Sequence, residues 1–443
     1  MHRPRLAVAV LCATVVVALG VRLAWIAIGD FQPTIDDDAG RYDFLGRSLA
    51  DGAGYLNPNG TTTMFWPPGY PFLLAGIYKG WPEGAMGDHQ LTAALVANAL
   101  LGAATVALTY GVALRALRHQ AGALLAATIF ALFPSMVFFT GVTLSETLFT
   151  SLLMLAAWLA IEERRRPDAL LVVVLGAVVG YAALTRGQAL LLPLAFLPAW
   201  LLAEQRDGAP GLRWWAAASR VLVAGAVVAI VVAPWMLRNR DVSGEWVLIS
   251  SNAGPNFYIG HSGDADGKGR QVPELVFRYP DLPPAEAEAR INRDGFEEGL
   301  EWALDHPLDE LWLSAKKVFW LYYVDSEGVF WTDAHGGVHV WDKDTRDAWE
   351  WASNAYWWAA LALAGVGVFR WFSLRDPARV LLISVVAYWT LVHVAFFADP
   401  RFHAPIVPIV CVWAAGGVLV LSRTPSGVRW LRRRIRATPR STG

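Results

Sequence analysis

The chain has 443 residues, with 37 basic against 38 acidic side chains, 55% hydrophobic and 17% charged residues, and a mean hydropathy of +0.37. A soluble globular chain carries about a quarter charged residues, so these values speak against a soluble enzyme and exclude a disordered or collagen-like chain, and the near-neutral balance leaves no field to hold a nucleic acid. The 22 Trp add a residue that collects at membrane–water interfaces, and the class is an all-α polytopic membrane protein.

Apolar runs occur at residues 6–28, 91–114, 121–139, 147–161, 169–184, 189–203, 216–237, 355–369, 380–398 and 404–421. They predict about ten transmembrane helices, several of which must extend into flanking residues to reach the roughly 20 that a bilayer asks for. The first follows a basic start (His2, Arg3, Arg5). It is long for the apolar part of a signal peptide and has no clear small-x-small cleavage site, so an uncleaved span is expected. A long connection, 29–90, comes next. It holds the acidic "DDDAGRY" (36–42), a helical-looking stretch (42–50) and the aromatic "MFWPPGYPFLLAGIYKGW" (64–81), which Pro67, Pro68 and Pro71 make too broken to span. That stretch reads as interfacial or re-entrant.

The remaining connections alternate in charge. Arg115 and Arg118, Arg164 to Arg166, Arg206 and Arg213, Arg370, Arg375 and Arg379, and the Arg-rich tail form one set; Asp36, Asp37, Asp38, Glu146 and Asp399 mark the other. The positive-inside bias then predicts a multi-pass cell-membrane protein with both termini cytoplasmic and the acidic connections outside. The basic tail needs no role beyond orientation and anionic-lipid contact. A second long connection, 238–353, has Gly-rich turns (254–269) and amphipathic helical text (285–324), enough for a small extracytoplasmic α/β domain. The expected organisation is a transmembrane module at 1–237 that includes the first outer loop, an extracytoplasmic domain at 238–353, C-terminal transmembrane helices at 354–422 and a basic tail at 423–443.

Chemistry concentrates on the acidic side. Three successive carboxylates, Asp36, Asp37 and Asp38, stand just beyond the first span, where one is suited to act as a general base; the plain alternative is a solvated loop or a helix N-cap. Glu146 in "TLSETLF" reads as a second acid or as a capping carboxylate. Arg186 in "ALTRGQALLLP", Arg238 and Arg240 in "APWMLRNR", and Asp399, Arg401 and His403 in "ADPRFHAPIVP" project to the same level. Arginines at a membrane edge commonly just snorkel. Acids and arginines converging from five connections would instead suit an anionic leaving group beside a hydroxyl nucleophile. There is no P-loop and no H-E-x-x-H. In "DADGKG" (264–269) Lys268 takes a calcium-ligand position, and the glycines of "HGGVH" argue against a metal on His335 and His339. Cys12 and Cys411 lie in apolar runs, where neither a disulfide nor a zinc site is expected. Few ionisable residues fall deep in the spans, which weighs against a transporter or flippase of lipid-linked sugars, though Arg22 and His393 are exceptions.

In order, "DAGRY", "PPGYPFLLA", "LSETLF", "ALTRGQALLLP", "APWMLRNR", "GPNFYIGHSGDADG" and "RFHAPIVP" give the chain its family character. It resembles the GT-C membrane glycosyltransferases, in the branch of the protein O-mannosyltransferases and the lipid A aminoarabinose transferase (family 39). The resemblance implies a GT-C fold and transfer of a sugar from a polyprenyl phosphate to a hydroxyl of a glycan, lipid or protein at the outer face, by inverting displacement. It puts the catalytic acid of the D-x-x-x-aromatic motif on Asp38, with Tyr42 as the aromatic, and a helper acid on Glu146. Arg186 and Arg401, with Arg238 and His403 nearby, fall at the donor phosphate. Ala39 stands where many relatives have Glu, and Phe402 follows Arg401 where Tyr is commoner. No metal and no cofactor are implied.

Overall fold

The computed structural model describes residues 3–29, 31–81, 89–206, 214–333, 341–371 and 375–423. His335, His339, Arg213 and tail residues 424–443 lie outside the described residues.

Most of each expected apolar run is helical, with the 121–139 run divided between two helices. α1 (Arg3–Gly29) leads into the first connection, which carries α2 (Asp38–Ala50) and α3 (Gly69–Gly80). Then follow α4 (His89–Leu117), α5 (Gln120–Ala131), α6 (Pro134–Phe138), α7 (Glu146–Arg165), α8 (Ala169–Thr185), α9 (Leu192–Arg206) and α10 (Trp214–Ser243). The second long connection forms α11 (Ala253–Gly260), α12 (Pro273–Val276), α13 (Pro284–Asp305), α14 (Pro307–Tyr322) and α15 (Glu327–Asp333). α16 (Lys343–Trp371), α17 (Pro377–Ala395) and α18 (Val407–Arg423) close the described chain.

This is a multi-pass membrane protein. Five helices among the described residues are long and apolar enough to cross a bilayer, six if the bent pair α5–α6 counts as one. Their outer surfaces are apolar, with Leu6, Val16, Leu222 and Ile230 each more than 60% exposed, an arrangement that lipid tolerates and water does not. The 121–139 run is not one straight rod. Pro134 lacks an N–H and disfavours helix at Phe133, and the axis bends by 61° there.

The helices pack through small residues. A Cβ on Gly417 would lie 2.1 Å from the Leu363 carbonyl oxygen, and one on Gly367 2.0 Å from that of Trp413, so α16 and α18 meet backbone to backbone.

The α/β domain expected at 238–353 is corrected: its described residues carry helices and no strand, only a single bridge from Lys268 to Ala398. At 247–249 the backbone is met by side chains of α10 instead. Trp235 Nε1 donates to the Ile249 carbonyl (2.7 Å), and Asn239 Nδ2 to those of Val247 (3.1 Å) and Ile249 (3.2 Å). A backbone already paired in this way does not recruit a neighbouring strand. The helices also run through the expected limits of this segment, since α10 continues to Ser243 and α16 begins at Lys343.

Candidate active site

The three successive aspartates divide their work at the start of α2. Asp36 is exposed. Asp37 is the N-cap, accepting from the Gly40 backbone N–H at 2.9 Å and from the Thr34 hydroxyl at 2.8 Å. The capping turn is tight: a Cβ on Gly40 would sit 1.7 Å from the Thr34 carbonyl oxygen. That turn leaves Asp38, the first helical residue, directed to the interior with its side chain 35% exposed. Asp38 Oδ2 accepts from Arg401 Nη2 at 3.1 Å, and Oδ1 from Trp66 Nε1 at 3.3 Å.

Glu146 opens α7 and is fully buried. It pairs with Nη2 of Arg186, which sits where α8 ends and the chain turns extended; Arg186 Nε also donates to Ser145 Oγ at 3.0 Å. The second carboxylate oxygen of Glu146 is buried with no hydrogen-bond partner. A buried acid with one oxygen unpaired is costly unless something else donates to it.

Asp38, Glu146, Arg186 and Arg401 all line one cavity of about 1000 Å³. Four of the site residues expected from the sequence are thus brought together, from α2, α7, the α8–α9 turn and the turn before α18. The cavity continues along an apolar wall that includes Leu248, Ile249, Val276, Phe296, Phe396 and Phe397.

Two expectations are corrected. His403 does not reach this cavity. It is fully buried, bonded to Asp325 Oδ1 (2.8 Å) and the Leu321 carbonyl (2.7 Å) and stacked on Trp357. The segment Pro400–Ile406 is a 3₁₀ helix with about three residues per turn, so a side chain two positions from Arg401 points elsewhere. Arg238 also lies off the cavity wall. It donates to the carbonyls of Thr63 (2.8 Å) and Tyr55 (3.3 Å), bracing the loop that carries Trp66.

Residues not expected also line the cavity. Trp66 came from the aromatic stretch read only as interfacial. Burial, then the neighbouring Asp38 carboxylate, pushes the Tyr42 hydroxyl above its ordinary pKa, so it stays a neutral donor. His393, one of the two mid-span exceptions, bonds the Trp389 carbonyl through Nδ1 (2.7 Å) and leaves Nε2 unpartnered. A buried polar atom at a cavity wall was the available signal, and it is a packing signal absent from sequence.

Beside the Asp38–Arg401 pair stands Glu327. Burial, then the Asp399 carboxylate, pushes it up to about 7, against the pull of Arg401 and Lys268. Its folded pKa exceeds its unfolded one, so it favours the folded state fully at low pH and loses that contribution as pH rises through about 7. Melting curves of the wild type are therefore expected to fall between about pH 5 and pH 8 by an amount on the order of 1–2 kcal/mol, and those of Glu327→Gln to stay flatter. Parallel curves for the two proteins would remove Glu327 as the cause.

Known proteins share this architecture. A family described as dolichyl-phosphate-mannose-protein mannosyltransferase matches residues 66–237, which include Glu146 and Arg186 but not Asp38 or Arg401. A search of curated proteins gives no match. The fold superposes on that of the archaeal oligosaccharyltransferase AglB from Archaeoglobus fulgidus, solved with an inhibitory peptide and a dolichol-phosphate, at a TM-score of 0.51 and 12% identity, over 99% of this chain and 53% of that one. The same archaeal enzyme in complex with Zn and sulfate gives 0.58 at 13% identity, over 97% and 51%. ArnT from Cupriavidus metallidurans bound to undecaprenyl phosphate superposes at 0.40 and 15% identity, over 95% and 79%. The fold is thus shared with the archaeal oligosaccharyltransferase, and the family match is confined to residues 66–237. The chain spans about half the length of the archaeal enzyme.

Proposed function

We propose that the protein is a membrane glycosyltransferase that moves a sugar from a polyprenyl-phosphate donor to a hydroxyl acceptor by inverting displacement. The observation that carries this reading is the convergence of Asp38 and Glu146 with Arg186 and Arg401 on one cavity with an apolar wall. Asp38 takes the proton of the acceptor hydroxyl as its oxygen attacks the anomeric carbon. The bond from that carbon to the phosphate oxygen breaks, and polyprenyl phosphate leaves with the electron pair. Arg401 and Arg186 stabilise the charge that grows on the departing phosphate. The unpaired oxygen of Glu146 and the neutral Tyr42 hydroxyl are placed to bond sugar or acceptor hydroxyls.

The prenyl chain would lie along the wall of Leu248, Val276, Phe296 and Phe396. α13 and α14 leave Leu304, Leu308, Leu311 and Trp312 exposed, each more than 60%, a face suited to rest in the membrane interface beside that wall. α7 carries Glu146 at one end, in the cavity with Asp38, and Arg164 and Arg165 at the other, beside Arg115 and Arg118. The site then faces the extracytoplasmic side, with about ten spans and both termini inside. The segment 238–353 would cover the cavity and help select the acceptor. A lipid-linked-sugar transporter is not favoured, because the family matched over residues 66–237 and the superposed archaeal enzyme are described as transferases.

The test is transfer in membranes from a panel of radiolabelled polyprenyl-phosphate sugars, with product identification. One donor should support transfer to an endogenous acceptor well above membranes lacking the protein. Donor carried across the bilayer without a glycosylated product would establish the transporter instead.

A further inference from the structure

The arginines that set the charge of the basic connections do more than face water. Arg115 lies in the last turn of α4 and Arg118 just beyond it, Arg164 and Arg165 end α7, and together with Trp200 and Asp376 they line a second cavity of about 940 Å³. It lies far from the first. α7 runs from Glu146 in one cavity to Arg165 in the other, and twenty residues at about 1.5 Å each separate them by about 28 Å, close to the hydrocarbon thickness of a bilayer.

Three features set this cavity apart from a solvated basic edge. Two acids are each shared between two arginines. Glu162 is shared by Arg115 (2.6 Å) and Arg165 (2.8 Å), and Asp376 by Arg118 (2.9 Å) and, more distantly, Arg379 (3.8 Å). The Trp200 indole is 1% exposed, yet its N–H has no acceptor among the described residues. A buried donor of that kind costs about 1–3 kcal/mol unless a ligand or water meets it. Finally, Arg118 holds a left-handed backbone (φ 52°), alone among the described non-glycine residues. Helix ends usually give that position to Gly or Asn, so a guanidinium is kept there against local preference.

We propose that this cavity binds the phosphate headgroup of an anionic bilayer lipid. The arginines hold the phosphate oxygens, the Trp200 N–H donates to one of the headgroup oxygens, and Leu114, Ile161 and Leu381 receive the start of the acyl chains. The site is separate from that of the polyprenyl phosphate and does not depend on the transfer reaction.

Native mass spectrometry of the delipidated full-length protein in detergent tests this, with phosphatidylglycerol, phosphatidylcholine or inorganic phosphate added. Wild type should retain phosphatidylglycerol in preference to phosphatidylcholine. Arg118→Gln combined with Arg165→Gln should weaken one bound phosphatidylglycerol at least about tenfold. Both side chains are substantially exposed (61% and 46%), so the variant is expected to fold. Trp200→Phe, which keeps a ring and removes the N–H, should weaken the same lipid several-fold and decides the matter if the double variant does not fold. Unchanged phosphatidylglycerol affinity in the folded variants, or equal retention of phosphatidylcholine, overturns the proposal. So does stabilisation by inorganic phosphate that needs these arginines while the lipid has no effect, since that assigns the site to a free anion.

Discussion

Asp38→Asn is expected to lower sugar transfer by at least about a hundredfold, the smallest factor usual for a general base, while the protein still inserts and melts as the wild type does. The amide keeps the shape of the carboxylate, and its oxygen still accepts from Trp66 Nε1 or from Arg401. What it loses is the ability to take a proton. The stability cost is small, because the Asp38–Arg401 pair is partly solvated, with side chains 35% and 18% exposed, and such pairs contribute about 1 kcal/mol or less. The neighbouring aspartates are internal controls. Asp37→Asn preserves the cap, since Asn serves there about as well as Asp, and Asp36 is exposed. Both variants should retain transfer close to wild type. Measured initial rates with one radiolabelled donor separate the cases: more than about a hundredth of wild-type rate in Asp38→Asn, or an equal loss in Asp37→Asn, would falsify the general-base role.

The pattern of chain segments was readable because it is one-dimensional. Apolar runs depend on what a bilayer accepts residue by residue, and most of each run is helical, although five of the described helices, six with the bent pair, are long and apolar enough to cross. The 36–38 triplet was readable as a cap or as an acid site; Asp37 forms the cap, and Asp38 lines the cavity, the two separated by a tight turn at Gly40. Arg401 and His403 show the limit. Two positions apart in one motif, they diverge because a 3₁₀ turn separates their directions, and hydropathy does not encode that turn. The strand expectation failed for a related reason. No strand forms among the described residues of 238–353; the carbonyls of Val247 and Ile249 accept from Trp235 and Asn239 on α10, and that approach is set by tertiary packing. Trp66 and His393 entered the cavity the same way, through neighbours remote in sequence.

Glu146 and Arg186 give the second large effect, and here stability and activity part company. Both are nine-tenths buried or more and paired with each other. Glu146→Met alone leaves a buried guanidinium without its counter-charge, and Arg186→Met alone leaves a buried carboxylate; each is expected to destabilise by about 3–5 kcal/mol. The double replacement removes both charges and fills similar volume, so most of that stability should return, as is common when a buried pair is exchanged for apolar side chains. Transfer should not return. With Arg186 gone, one of the two cations that the proposed mechanism assigns to the leaving phosphate is missing, and the Glu146 carboxylate proposed to bond a sugar or acceptor hydroxyl is gone as well. Thermal melts and initial rates on all three variants read the two quantities independently. A double variant that is stable and transfers normally would reduce the pair to a structural cap on α7, and the donor phosphate would then rest on Arg401 alone among the cations lining the polar end of the cavity beside Asp38.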